Sequence, residues 1–100
     1  MKIYLAGKIT GDADYRQKFA QAEQKLLSSG YTVLSPAILP EGMEKSDYMR
    51  ICLAMIDCAD MAIFLPDSQE SAGAQVEREY CRYIDKFILD LYPQQGGTEG

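Results

Sequence analysis

Apolar residues in this chain follow two rhythms that alternate from one end to the other. Short apolar-rich runs at 2–6 (KIYLA), 31–34 (YTVL), 61–65 (MAIFL) and 86–91 (KFILDL) have the length and composition of strands buried on both faces. Between them, apolar positions return every three or four residues, the spacing of one helix face. Over 14–29, Tyr15, Phe19, Ala22 and Leu26 share such a face, with Arg16, Lys18, Gln21, Gln24 and Lys25 opposite and Gly30 placed to end the helix. A second helix over 46–58 carries Tyr48, Cys52, Met55 and Ile56 as its stripe, with Ile51 and Ala59 beside it. The polar, turn-forming stretch 66–71 closes on Ser71, a good N-cap for a third helix that starts at Ala72.

Strands and helices in strict alternation predict a small three-layer α/β fold of flavodoxin- or Rossmann-like type, with a parallel sheet of about four strands joined by right-handed crossovers. The expected strand order is 2-1-3-4. That order puts the topological switch point between the first and third strands, so a ligand is expected over their C-terminal ends. Two loops lie there. GKITG at 7–11 joins strand to helix with two glycines and Lys8, which is either an anion site made by backbone amides or simply a turn. The stretch 66–71 faces it. The proline-bearing segment 35–45 is the longest irregular stretch, either a pocket wall or a packed connection.

The third helix holds the residue that most needs explaining. At about 100° per residue, Gly73, Val76, Tyr80, Cys81, Tyr83 and Ile84 fall on one arc, and Gln75, Arg78, Glu79, Arg82, Asp85 and Lys86 on the other. Glu77 lies inside the apolar arc, one turn after Gly73, whose missing side chain leaves room above it. An ionised carboxylate on a core-facing stripe costs several kcal/mol unless it is paired or reaches a cavity. It is therefore a site carboxylate, or else a buried ion pair or a side chain that reaches solvent at the stripe's edge.

Composition narrows the chemistry. With 100 residues and 47% hydrophobic content the chain forms one domain, expected over 1–92, followed by a flexible Gly-rich tail at 93–100. A formal charge of −5 with no Lys/Arg cluster argues against nucleic acid or an anionic membrane as partner. No apolar run is long enough for a membrane helix or a signal sequence, so a cytoplasmic protein is expected. Three cysteines without CxxC spacing, and no histidine, offer no usual zinc site; the cysteines read as reduced, buried small hydrophobes. Without a ligand cluster or dinucleotide fingerprint, no metal or cofactor is expected. Acid–base work near neutral pH falls to carboxylates, Tyr, Lys or Cys. The second helix is apolar over much of its circumference, which suggests a homodimer through 47–58.

Four segments in order, YLAGKITG, GYTVLSPA, DYMRI…MIDCADMAIFLP and SAGAQVE, resemble the nucleoside 2-deoxyribosyltransferase-like family, which includes 2′-deoxynucleoside 5′-monophosphate N-hydrolases. The resemblance covers 1–91 and implies cleavage or transfer at the N-glycosidic bond of a small-molecule deoxynucleoside or nucleotide, with Glu77 as nucleophile. It further implies Asp60 as proton donor or base-orienting group and Tyr4 as the residue that fixes the Glu77 carboxylate. Ser71 stands where the monophosphate hydrolases carry serine and the transferases aspartate. With Lys8 this favours a 5′-phosphorylated substrate, Gly7, Ile9, Gly11 and Gly73 lining the phosphate and sugar subsites. Arg50, on the second helix, is within possible reach of substrate. The chain departs from the family's pattern at Glu79, where glycine is usual, and at 93–100, where many members carry a segment that completes the partner's site and supports transfer. The competing reading is a non-catalytic nucleotide-binding module on the same fold.

Overall fold

The computed structural model describes residues 1–91; the expected tail at 93–100 lies outside the described residues. Strands β1 (Lys2–Ala6), β2 (Thr32–Leu34), β3 (Met61–Phe64) and β4 (Phe87–Asp90) alternate with helices α1 (Tyr15–Ser28), α2 (Lys45–Cys58) and α3 (Ala72–Tyr83). The sheet is entirely parallel in the order β2-β1-β3-β4, so the expected topology is the observed one. Two short 3-10 turns, Pro36–Ile38 and Pro66–Glu70, occupy stretches expected to be irregular; each starts on a proline whose fixed φ suits the first helical position.

Strand alternation sorts the core into two halves. Ile3, Leu5, Met61, Ile63 and Leu65 pack with Phe19 on the α1 face. Tyr4, Ala6, Ala62 and Phe64 pack with Cys52, Ile56 and Cys81 on the face covered by α2 and α3. Because both faces are covered, the central strands are apolar at every position after the exposed Lys2. α1 ends on Gly30 at φ 91°, whose N–H bonds to the Leu27 carbonyl while Tyr31 N–H reaches Leu26, the left-handed cap expected from its glycine. Among the described residues no helix is long and apolar enough to cross a membrane.

α3 is rotated from the orientation its apolar arc predicts. The buried line is Ala74, Glu77 and Cys81, whereas Val76 is 50% exposed and Tyr83 87%. Close approach to the sheet selects small residues, and Ala74 and Cys81 allow it where Val76 and Tyr83 do not. The opposite arc is corrected too. Arg78 was expected outside, yet its guanidinium lies 4.4 Å from the Phe64 ring centroid and pairs with Asp90 of β4. An arginine stem covers apolar surface while its head remains paired, which a polar-or-apolar reading of the sequence cannot express.

Candidate active site

Glu77 is 8% exposed and lies at mid-height on the sheet-facing line of α3. Tyr4, fully buried in the middle of β1, donates a hydrogen bond from its hydroxyl to Glu77 Oε1 at 2.9 Å. Cys52, on α2, is buried in the same core cluster as Tyr4. Two elements distant in sequence, β1 and α3, thus meet at one carboxyl group.

Burial dominates the electrostatics. It raises the Glu77 carboxyl from its ordinary 4.5 to about 7, against the opposing pull of the Tyr4 hydrogen bond. Burial, followed by the charge of Glu77, raises the Tyr4 hydroxyl well above its ordinary range and the Cys52 thiol to about 11. Near neutral pH the only group of this cluster that changes charge is therefore Glu77, a carboxylate poised at working pH.

The start of α3 sets where Glu77 points. Ser71 accepts a hydrogen bond from Ala74 N–H at 3.1 Å and fixes the helix N-terminus, as its N-cap position predicts. Helical side chains lean toward the N-terminus, which directs Glu77 toward the turn containing Gly73. A Cβ on Gly73 would meet only Met49 Cε and Ser71 Oγ, both at 3.9 Å. Space is thus left one turn above the carboxylate.

The two loops expected to share a crevice do meet, but the contact between them is ionic. Lys18 of α1 donates to the Lys8 carbonyl at 2.7 Å, to Asp12 at 2.6 Å and to Asp67, tying the loop after β1 to the turn after β3. Burial alone would lower the Lys18 pKa, but Asp12 and Asp67 more than offset it and raise it. The Lys8 backbone N–H donates to Asp67 Oδ1 at 3.1 Å, and its ammonium pairs with the exposed Glu70 at 3.4 Å. Gly7 is held by packing, since a Cβ there would come within 3.0 Å of Leu65 Cδ1 and 3.2 Å of Phe19. Gly11 takes φ 84°, which the turn into α1 requires, and Ile9 packs beside the α1-side core.

Asp60 is not brought to this cluster. It precedes β3, at the N-terminal end of the sheet, where Oδ2 accepts the Lys2 N–H at 2.7 Å. That bond, the largest effect on the group, lowers its pKa. Ser71 follows β3, and a four-residue strand at roughly 3.3 Å per residue separates the two ends. A residue before a parallel strand cannot share the C-terminal crevice, so strand position alone was the signal against Asp60. Arg50 is exposed on α2. Cys52 is buried in the core, as its place on the α2 stripe predicts; Cys58, expected to be buried, is exposed.

Two clefts flank α3, one of ≈ 480 Å³ lined by Gln69, Gln75, Arg78, Arg82 and Asp90, and one of ≈ 570 Å³ lined by Leu53, Val76, Glu79, Tyr80, Arg82 and Tyr83. Glu77 lines neither.

The fold occurs in solved structures. A 2-deoxyribosyltransferase from the psychrotolerant bacterium Bacillus psychrosaccharolyticus superposes with a TM-score of 0.76 at 23% identity, over 95% of this chain and 74% of that one. A structure described as a 2-desoxiribosyltransferase from Leishmania mexicana gives 0.73 at 17% identity, over 93% of this chain and 65% of that one. At such identities the likeness shows a common α/β architecture. No curated protein matches the sequence. A family model described as a domain of unknown function matches residues 1–90, and the chain belongs to that family, DUF4406.

Proposed function

We propose that this protein cleaves the N-glycosidic bond of a 2′-deoxynucleoside, with Glu77 as nucleophile. The observation that carries the reading is the buried Glu77 carboxyl, titrating near 7 and held by Tyr4, on the helix that follows β3. The fold shared with 2-deoxyribosyltransferases supports the choice of substrate.

In this reaction the ionised Glu77 attacks the anomeric carbon and the C–N bond breaks. The base leaves with the bonding pair and takes up a proton from solvent, and a glycosyl ester remains on Glu77. Water then adds to the anomeric carbon and gives up a proton to solvent, the ester C–O bond breaks, and the carboxylate is restored. The transition state carries oxocarbenium character, which a carboxylate stabilises in a dry site. A 2′-hydroxyl withdraws electrons from that cation, so deoxy substrates react faster than ribo. Asp60 has no part in this scheme because it sits at the far end of β3.

The free nucleoside is favoured over its 5′-monophosphate. Asp67 and Glu70 already take the amide and ammonium of Lys8, and both carboxylates would face a phosphate placed there. Base release from a panel of deoxynucleosides, their 5′-monophosphates and matching ribo compounds tests the reading. Release from the deoxynucleosides that is lost in Glu77→Ala supports it. No release from any of them, with the protein folded, overturns it and leaves a nucleotide-binding module.

The space above Gly73 gives a sharper test. Gly73→Ala makes only ordinary contacts and removes a helical glycine, so it should raise stability by roughly 0.5–1 kcal/mol and keep turnover. Gly73→Leu fills the approach to Glu77 and should abolish turnover at near wild-type Tm. Melting curves beside base release separate the two.

The proposed homodimer joins two copies through the outer face of α2 and α3. Leu53, Val76 and Tyr83 line the cleft there, and a tyrosine 87% exposed beside a half-exposed valine is an apolar surface that a second copy would cover. Sedimentation equilibrium should show a dimer for the wild type and a monomer for Tyr83→Lys; two monomers would refute it.

A further inference from the structure

The first turns of α2 reach the same end of the sheet as the N-terminus of α3, because a helix that joins parallel strands runs opposite to them. Tyr48 anchors that end of α2: its hydroxyl donates to the Pro40 carbonyl at 2.6 Å and accepts the Met43 N–H at 3.2 Å. Met49, the next residue, stands one turn before Cys52 on the helix line that continues to Ile56, and both of those are buried in the core. Met49 itself is half-buried, and among the described residues it is not one of the hydrophobic groups packed against either half of the core. Its methyl carbon lies instead 3.9 Å from the point where a Cβ on Gly73 would stand, and Ser71 Oγ lies 3.9 Å from the same point. The space above Gly73, toward which Glu77 is directed, thus has one apolar wall and one polar wall. Ser71 accepts from Ala74 N–H and keeps its own O–H to donate.

We propose that Met49 is a specificity-determining residue that selects 2′-deoxyribose over ribose: its methyl forms the wall on which the C2′ methylene packs, opposite Ser71, which takes a sugar hydroxyl. The inference rests on the reading of this space as the approach to Glu77, and adds to it the residue that sets sugar choice. The anomeric carbon must lie beside Glu77 to react, so its neighbour C2′ lies in the same space. A methylene there meets apolar surface. A 2′-hydroxyl would be buried against a methyl group without a partner, which disfavours the ribo compound about 10- to 100-fold. Methionine suits such a wall, since its unbranched, polarizable end fits closely to an irregular ligand surface. The electron withdrawal by a 2′-hydroxyl acts only as the C–N bond breaks, whereas the wall acts already on binding. The two effects are therefore separable.

The experiment measures binding of paired deoxy- and ribonucleosides to the Glu77→Gln protein, which holds them uncleaved, through the ¹³C-methyl resonances of its methionines. The Met49 methyl should shift on titration with the deoxynucleoside, while Met61, buried in the α1-side core, stays in place. The deoxynucleoside should bind about 10- to 100-fold more tightly than its ribo partner. Met49→Gln, which offers the 2′-hydroxyl a partner, should narrow that ratio by about 5-fold or more, and Met49→Leu, which keeps the wall apolar, should hold it. A ratio that glutamine leaves in place, or that glutamine and leucine change alike, overturns the proposal; so does a Met49 methyl that ignores the bound nucleoside, and so does failure of every nucleoside to bind. The methyl shift needs no substitution at position 49 and survives misfolding of either variant there. If wild type releases base through Glu77 and the sugar ratio is indifferent to Met49, the reaction stands and the role of Met49 falls. If binding is selective through Met49 and no base is released, the reaction falls and the selecting wall stands.

Discussion

At pH 8 the Glu77→Gln protein is expected to melt roughly 10 °C above wild type while releasing no base. The two effects have one cause. The Glu77 carboxyl is raised by burial from 4.5 to about 7, so above pH 7 the folded protein holds a charge it would rather not carry. Between pH 4.5 and 7 the unfolded chain loses this proton while the folded chain keeps it. The unfolded state binds fewer protons in that window, and stability falls as pH rises through it, by about 3 kcal/mol in total. Glutamine removes the charge, and its amide gives back about 1 kcal/mol through imperfect hydrogen bonding, leaving a gain of about 2 kcal/mol. At pH 5, where the wild-type carboxyl is protonated in the fold, the gain should shrink to near zero. Calorimetry at the two pH values checks the sign directly. A glutamine variant that is less stable at pH 8 would mean that Glu77 is a structural carboxylate, the buried-pair alternative that the sequence left open.

The second large effect belongs to Tyr4→Phe, which removes a hydroxyl and opens no cavity. The lost bond is a hydrogen bond to the charged form of Glu77, of the class worth about 1.5–3 kcal/mol, so the carboxyl should move up by roughly one to two units. A nucleophile must be ionised to react, so the acid limb of the rate profile, expected near 7 in wild type, should move with it. Turnover at pH 7 should fall about 5- to 50-fold and largely return at pH 9. A rate profile that keeps its acid limb while its plateau falls would show that Tyr4 acts on something other than Glu77 ionisation.

How far the sequence carried these conclusions depended on what each residue had to know about distant parts of the chain. The strands and helices were legible because their periods are local: β1 at Lys2–Ala6 and the start of α3 at Ala72 fall where the pattern puts them. The strand order was the one expected for a regular alternation of strand and helix in a doubly wound α/β fold. Glu77 was legible as an anomaly, a charge beside apolar neighbours. Its partner Tyr4 came only through the family resemblance, because nothing local in a strand tyrosine says which buried group across the sheet its hydroxyl will touch. The α3 stripe was misread because hydrophobicity alone placed Val76 and Tyr83 inward, whereas close packing on the sheet chose Ala74 and Cys81. Arg78 was misplaced because its stem packs on Phe64 and its head meets Asp90, two properties in one side chain. Nothing in the sequence signalled that the Lys8 amide would meet Asp67 and its ammonium Glu70, both far along the chain. Asp60 was avoidable: it stands before β3, not after, and the topology already in hand excluded it from the crevice.

An ionic tie joins the loops. Lys18 links the turn after β1 to the turn after β3 through Asp12 and Asp67. These groups are about a quarter exposed, and solvent screening keeps the tie modest in stability. Its value is geometric, since Asp67 also holds the Lys8 amide and with it the path of the loop.

The most direct measurement is an intact-mass spectrum of the protein mixed with a deoxynucleoside and quenched in acid during turnover, followed by peptide mapping. The account predicts a population heavier by one deoxyribosyl group, the added mass lying on Glu77 and missing from Glu77→Gln. Base release with no such adduct, or with the adduct on another residue, would contradict it.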